Sequence, residues 1–230
     1  MSCDWLFALP VPVLGLKLDD TSLRLSCALR LVSKICQPYK CINGALVDDK
    51  GVGMVYLAKI SKGTFSRHIN DLLKRALGSA QVTSMLEPTG LTRSDGKRPD
   101  GLTLFPWSQG RCLVWDFTCR DTLAPSNVMA TSEEAGKAAE IAEKEKMSHY
   151  QELSTSYIVT PVATETLGPW GPSGLKFVKE IGSKIADLSG EKRATSFLFQ
   201  SISMAVQRGN VASIRGSVPN TKTLNELYYL

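Results

Sequence analysis

Hydrophobic and polar positions along this chain switch between two periods, and the switches mark its elements. Residues 19–35, DDTSLRLSCALRLVSKI, put acidic and hydroxyl residues first and space Leu23, Cys27 and Leu31 four apart. That predicts a short amphipathic helix with an N-terminal cap. Residues 36–63 are glycine-rich and unpatterned, and predict irregular chain. Helical spacing returns over 66–80, SRHINDLLKRALGSA, where Ser66 offers an N-cap and Ile69, Leu72, Leu73, Ala76 and Leu77 share a face. QVTSMLEP (81–88), GLTLFP (101–106) and GRCLVWDFT (110–118) read as strands. The last is apolar almost throughout, as a strand buried on both faces would be. The turn WSQG between the last two predicts a hairpin. Residues 131–153, with Thr131 and Ser132 as cap, acids in the first turn and then many alanines, predict the clearest helix. YIVTPVATETLG (157–168) predicts a strand whose Pro161 favours an edge or a bulge. Two amphipathic helices, 173–190 and 194–214, follow, and no internal repeat is visible. The order is helix, three strands, helix, strand, helices: an α/β fold with a small mixed sheet.

Composition narrows the class. With 230 residues, 43% hydrophobic and 21% charged, the chain suits one compact domain or a domain with a smaller appendage. A net charge of +5 fits a nucleic-acid partner without requiring one. Six scattered cysteines do not make a disulfide scaffold at this length. The apolar N-terminus carries Asp4 and two prolines and lacks a basic region, so it is a poor signal peptide. No apolar stretch approaches the roughly 18 residues a membrane span needs. These features predict an intracellular protein with reduced thiols and no membrane partner.

The chemistry begins with Asp116, set in the apolar run CLVWDFT. A lone buried carboxylate costs several kcal/mol unless it is paired, protonated or bound to a cation. Asp100 heads the neighbouring strand, and a hairpin across WSQG brings the two toward one sheet end. Two carboxylates in reach repel, and a hard divalent cation such as Mg²⁺ or Mn²⁺ removes that penalty. On the helix that follows, Ala135, Ala139, Ala142, Lys146, Tyr150 and Leu153 share one face, apolar but for Lys146. Two acids, a cation and a lysine are what phosphodiester hydrolysis uses. The plainer reading pairs Asp116 with Arg111 or Arg120 and lets Lys146 snorkel to solvent.

GKRPDG, WDFT and AEKEKMSHY together resemble the restriction-endonuclease-like, PD-(D/E)XK-type domain at the C-terminal end of some non-LTR retrotransposon polyproteins. Its Pro-Asp matches Pro99-Asp100, its second acid Asp116, and its downstream K-x-x-K-Tyr on a helix matches Lys146 and Tyr150. Thr118 holds the place two residues after the second acid, which agrees with a lysine moved to the helix. SKGTFSRHINDLLKRAL resembles the S-x-G-x-x-x-R-H helix before the nuclease strands, and the likeness extends over most of the chain. It implies an αβββαβ core with additional C-terminal helices in residues 61–230, after a helical leader over 1–60. It offers Asp71 or Glu87 as a further acid. The Phe117 carbonyl is a further cation ligand beside Asp116. Arg67 and His68 at a helix start, and Lys97 and Arg98 beside Asp100, are candidate DNA contacts, against plainer readings as a surface capping region and a solvated loop.

The same resemblance implies a metal-dependent endonuclease nicking double-stranded DNA, nuclear if functional, with a reverse transcriptase as partner in the parent polyprotein. Two positions depart from the pattern. Such domains often carry a Cys-Cys-His-Cys zinc motif upstream, but Asn43 and Tyr39 stand beside Cys36 and Cys41 where ligands belong, so no zinc is expected. His149 replaces the second lysine, weakening the charge available to a phosphate. The alternative is a catalytically inactive retroelement fragment that acts at most as a DNA-binding module. Trp107, Trp115 and Trp170 are candidates for base stacking, with Trp115 expected in the core instead.

Overall fold

In a computed structural model that describes residues 4–50, 62–91, 96 and 98–228, the long strand around Asp116 organises the molecule. Four strands form the main sheet: β3 (Ser84–Leu86), β4 (Gly101–Thr103), β5 (Leu113–Arg120) and β6 (Ile158–Glu165), in that order across it. The first three are antiparallel, and β6 runs parallel to β5 over eight residues. Strands β1 (Tyr39–Lys40) and β2 (Leu46–Val47) make a small separate hairpin in the stretch read as irregular. The helices are α1 (Asp20–Leu31), α2 (Lys62–Ser79), α3 (Val128–Glu133), α4 (Lys137–His149), α5 (Pro172–Ser189), α6 (Ala194–Ser217) and α7 (Leu224–Leu227). This is an α/β molecule, as the hydrophobic pattern predicts.

Period-two alternation assigns the two faces of β5. Leu113, Trp115 and Phe117 enter the main core, against Ile69, Leu73 and Leu77 of α2, Phe177 and Ile181 of α5, and Phe199 and Ile202 of α6. The even-numbered residues face α4. There Ala139 and Ala142 meet Ala163 of β6, side chains small enough to seat the helix close to the sheet.

Pro161 sits on the edge strand, where its missing donor is harmless. Ile158 and Thr166 donate their amides to the carbonyls of Cys112 and Arg120, just before and at the end of β5, so even-numbered amides of β6 face β5 and odd-numbered ones face outward. The outer edge is closed by the Glu143 side chain, which accepts from the Ala163 amide at 3.3 Å, and by Pro169, whose carbonyl accepts from Glu165 at 2.8 Å. A covered edge of this kind cannot template pairing with another chain.

Several predicted boundaries move. Helix α1 is capped by Asp19, whose side chain accepts from the Ser22 amide at 2.9 Å, but it buries Ser22, Leu25, Ser26 and Leu29, while Leu23 and Leu31 are exposed. Helix α2 starts a turn early, so Ser66 lies inside it. The segment 131–153 breaks at Gly136, whose φ of 92° is left-handed. Thr131 and Ser132 therefore lie within α3, and Thr131 bonds the Thr122 carbonyl at 2.8 Å rather than capping α4.

The leader packs on the C-terminal end of the chain. Leu25, Leu29, Ile35, Cys36, Tyr39, Cys41 and Val47 share a cluster with Val211 and Ile214 of α6 and with Leu227 and Tyr228. Among the described residues, no helix is long and apolar enough to cross a membrane.

Candidate active site

The strand register carries Asp100 to Asp116. Gly101 lies opposite Trp115, so the residue before Gly101 meets the residue after Trp115. The two carboxyl groups lie close enough for the charge of Asp116 to act on Asp100. Asp100 also accepts from the Phe117 amide, at 2.7 Å through Oδ2. Ladder parity shows why that amide is available. Even-numbered carbonyls of β5 bond β6, so the amide and the carbonyl of Phe117 both face the β4 side, just past the start of β4.

Burial and the neighbouring Asp116 charge push the Asp100 carboxyl up to about 6, against an ordinary value near 3.8, although the Phe117 amide and the Asn70 side chain pull the other way. Asp116 is only 6% exposed. Its Oδ2 accepts from Lys146 Nζ at 2.9 Å, and the lysine keeps about a third of its side chain in solvent. The plainer pairing of Asp116 with Arg111 or Arg120 is not what forms. Arg111 donates to the Ser154 carbonyl at 3.2 Å and Arg120 pairs with Glu145 of α4.

The helix face behind Lys146 holds Ala139, Ala142 and Tyr150 buried as predicted, whereas Ala135 is exposed. It also carries an unpredicted carboxylate, Glu143, 4% exposed. Glu143 accepts from the Ser173 and Gly174 amides at 2.9 and 2.8 Å, closing the N-terminus of α5. Burial raises its carboxyl, and the three amides it accepts from oppose that shift. At the end of β6, Glu165 does the same for α4, accepting from Ala138 at 3.0 Å, and burial raises it too. Both are caps rather than reactive groups.

Asn70 is the functional residue that the sequence does not reveal. It is 5% exposed on α2, accepts from the Trp115 indole at 3.2 Å through Oδ1, and opposes the rise of the Asp100 carboxyl. Its neighbour Asp71, offered as the further acid, is exposed and lies beside His68, so α2 directs an amide at the pair and not a carboxylate. Glu87 is in register with Asp100 and donates its amide to the Asp100 carbonyl at 2.8 Å, but its side chain pairs with Arg98.

The candidate DNA contacts scatter. Arg67 and His68 are exposed on α2, and burial together with Arg75 and Arg208 holds the His68 imidazole below its usual value. Lys97 lies outside the described residues, and His149 is exposed. Trp115 is fully buried, Trp170 stacks edge-on against Phe199, and Trp107 packs on Phe177 beneath the Lys184 ammonium, 5.0 Å from its ring centre. Cys36 and Cys41 are buried with Tyr39, whose hydroxyl bonds Ser217 and Tyr228 at 2.6 and 3.0 Å.

No family model matches this chain, and no curated protein is matched by it.

The donor set suits a hard divalent cation. Two carboxylates that repel one another meet at a strand end, with a strand carbonyl directed to the same side. The next charged group is a lysine already engaged by one of them.

Proposed function

We propose that the chain is a restriction-endonuclease-like domain of retroelement origin that nicks double-stranded DNA with Mg²⁺ or Mn²⁺. The observation that carries this reading is the junction of Asp100, just before β4, Asp116 in β5 and Lys146 in α4. The order α2, β3, β4, β5, α4, β6, with the short α3 inserted before α4, three antiparallel strands and a parallel fourth, supports it, being the order that the resemblance implies for an αβββαβ core. The chain's mild positive charge is compatible with a DNA substrate.

Asp100 and Asp116 would hold the cation, with the Phe117 carbonyl as a further oxygen ligand. When bound, the cation supplies Lewis acidity to the phosphodiester and its attacking water. The remaining work falls to the protein. Asn70 and the Phe117 amide fix the Asp100 carboxylate. Lys146, part in solvent and held by Asp116, places a positive charge where a phosphate would arrive. With His149 exposed, Lys146 acts without the second cation of the K-x-x-K-Tyr pattern.

The test is conversion of supercoiled plasmid to the open-circular form by the purified chain with Mg²⁺ or Mn²⁺. Nicking should stop with EDTA and fall at least a hundredfold in Asp116→Ala and Lys146→Ala. A folded wild-type chain that retains DNA in a salt-dependent manner without nicking it would replace this reading with that of a binding module.

A further inference from the structure

We propose that Asn70 is a positioning residue that restricts this site to one divalent cation, because its amide takes the place beside Asp100 where a third carboxylate would be needed to hold a second. The inference rests on the reading of Asp100 and Asp116 as cation ligands.

Both ends of the Asn70 amide are committed. The Trp115 indole can only donate, so the atom facing it at 3.2 Å is the amide oxygen. The NH₂ end is then the one left to act on Asp100, whose carboxyl the Asn70 side chain pulls down. An amide nitrogen that donates two protons has no lone pair to offer a cation, and the oxygen that could ligate one is turned toward the indole. Asn70 therefore orients a ligand without being one. Its burial at 5% exposure and the complete burial of Trp115 leave the amide little room to turn over.

The surroundings supply no substitute. Among the described residues, no third His, Cys, Asp or Glu side chain joins Asp100 and Asp116. Asp71 is one residue further along α2, about 100° around the helix, and exposed. Glu87 is in register with Asp100 but is held by Arg98.

Charge leads to the same count. Two ionised carboxylates and the Lys146 ammonium sum to one negative charge. One divalent cation takes the site to a single positive charge, attractive to a phosphodiester. A second would take it to three positive charges in a half-buried pocket, a repulsion that this donor set does not offset. Two-cation phosphodiesterases bridge their ions with additional acidic oxygens, and Asn70 stands where such a group would enter.

Mn²⁺ binding to the intact chain, counted by calorimetry and by loss of the free-ion paramagnetic signal, tests the inference without reference to cleavage. Wild type should bind one ion, and Asp116→Ala should bind none at the same concentration. Asn70→Asp keeps an oxygen for the Trp115 indole and adds a third carboxylate, so it should bind two ions, or one ion at least tenfold more tightly with a weaker second. Asn70→Leu should bind one ion about tenfold more weakly. Near-ultraviolet circular dichroism of the tryptophans confirms folding. If Asn70→Asp does not fold, the wild-type count and the Asn70→Leu affinity still decide.

Two ions on wild type, one of them lost in Asp116→Ala, overturn the inference and leave the proposed function standing. Unchanged count and affinity in folded Asn70→Asp and Asn70→Leu overturn it as well. A wild-type chain that binds no Mn²⁺ overturns both together.

Discussion

Burial of Asp100 beside Asp116 is measurable as a dependence of stability on pH. The Asp100 carboxyl is raised from near 3.8 to about 6 by burial and by Asp116. The folded state therefore binds this proton more tightly than the unfolded state does. Stability is greatest below pH 4 as far as this group is concerned, and falls as pH rises through the interval from about 4 to 6. Urea titrations of the metal-free protein should show a loss of the order of 2 kcal/mol across that window, and Asp100→Asn should remove most of it. Glu143 and Glu165 are raised too, so the slope lost on substitution, rather than the total slope, belongs to Asp100. A second single-residue prediction concerns Gly101, where an added Cβ would sit 2.0 Å from the Trp115 ring. Gly101→Ala should cost roughly 1–3 kcal/mol by overpacking and displace the indole that orients Asn70. Asp116 and Lys146 are legible in the sequence because each is a charge in an apolar pattern, and such a conflict demands a partner; Asp100 is legible from its place at the head of the strand that WSQG pairs with β5. Asn70 is not legible. A polar residue at the border of an amphipathic face is unremarkable until Trp115, 45 positions away, is seen to bond it.

At the scale of elements, side chains close two helix starts from outside the helices they cap. Glu165 serves α4 and Glu143 serves α5. Glu143→Ala would leave the Ser173, Gly174 and Ala163 amides without this acceptor. It should cost about 3 kcal/mol in chemical denaturation, whereas Glu143→Gln, which keeps an acceptor, should cost nearer 1. This explains where the sequence reading stops short. Local capping rules assume that the cap precedes the helix, and in this chain the decisive acceptors are remote. Thr131 and Ser132 look like a cap, yet the left-handed turn at Gly136 sets the start of α4. The face of α1 is misread for a different reason. Its inner side is half serine, Ser22 and Ser26 with Leu25 and Leu29, so Leu23 and Leu31, eight apart, mark the outer side. The strands fare better, because the turn at WSQG pairs β4 with β5.

For the whole molecule, the leader and the C-terminal end close on each other. Cys36, Cys41 and Tyr39 fill a cluster with Ile214, Leu227 and Tyr228, so the two cysteines sit as buried apolar side chains. Thiol titration should find Cys36 and Cys41 unreactive until unfolding, and Cys112 and Cys119, which are partly exposed, reactive earlier. Deleting residues 1–50 would uncover Val211, Ile214, Leu227 and Tyr228, and should lower the Tm by at least several degrees and raise light scattering. This closure is invisible to pattern reading, since nothing local links residue 36 to residue 228. The Glu143 cap bears on how such a molecule would look in a saturation-mutagenesis screen. Gly171 leaves no room for a Cβ beside the Glu143 carboxyl, which an added carbon would approach to 2.3 Å, and Lys146 lies one helical turn beyond Glu143. Substitutions at Gly171 would thus push on α4 and shift the lysine from across the sheet. Loss-of-function scores at Gly101, Gly171 and Asp116 would be indistinguishable by severity. Only separating cellular abundance from activity would sort scaffold from chemistry: the glycine variants should disappear from the cell, and Asp116→Asn should accumulate and do nothing.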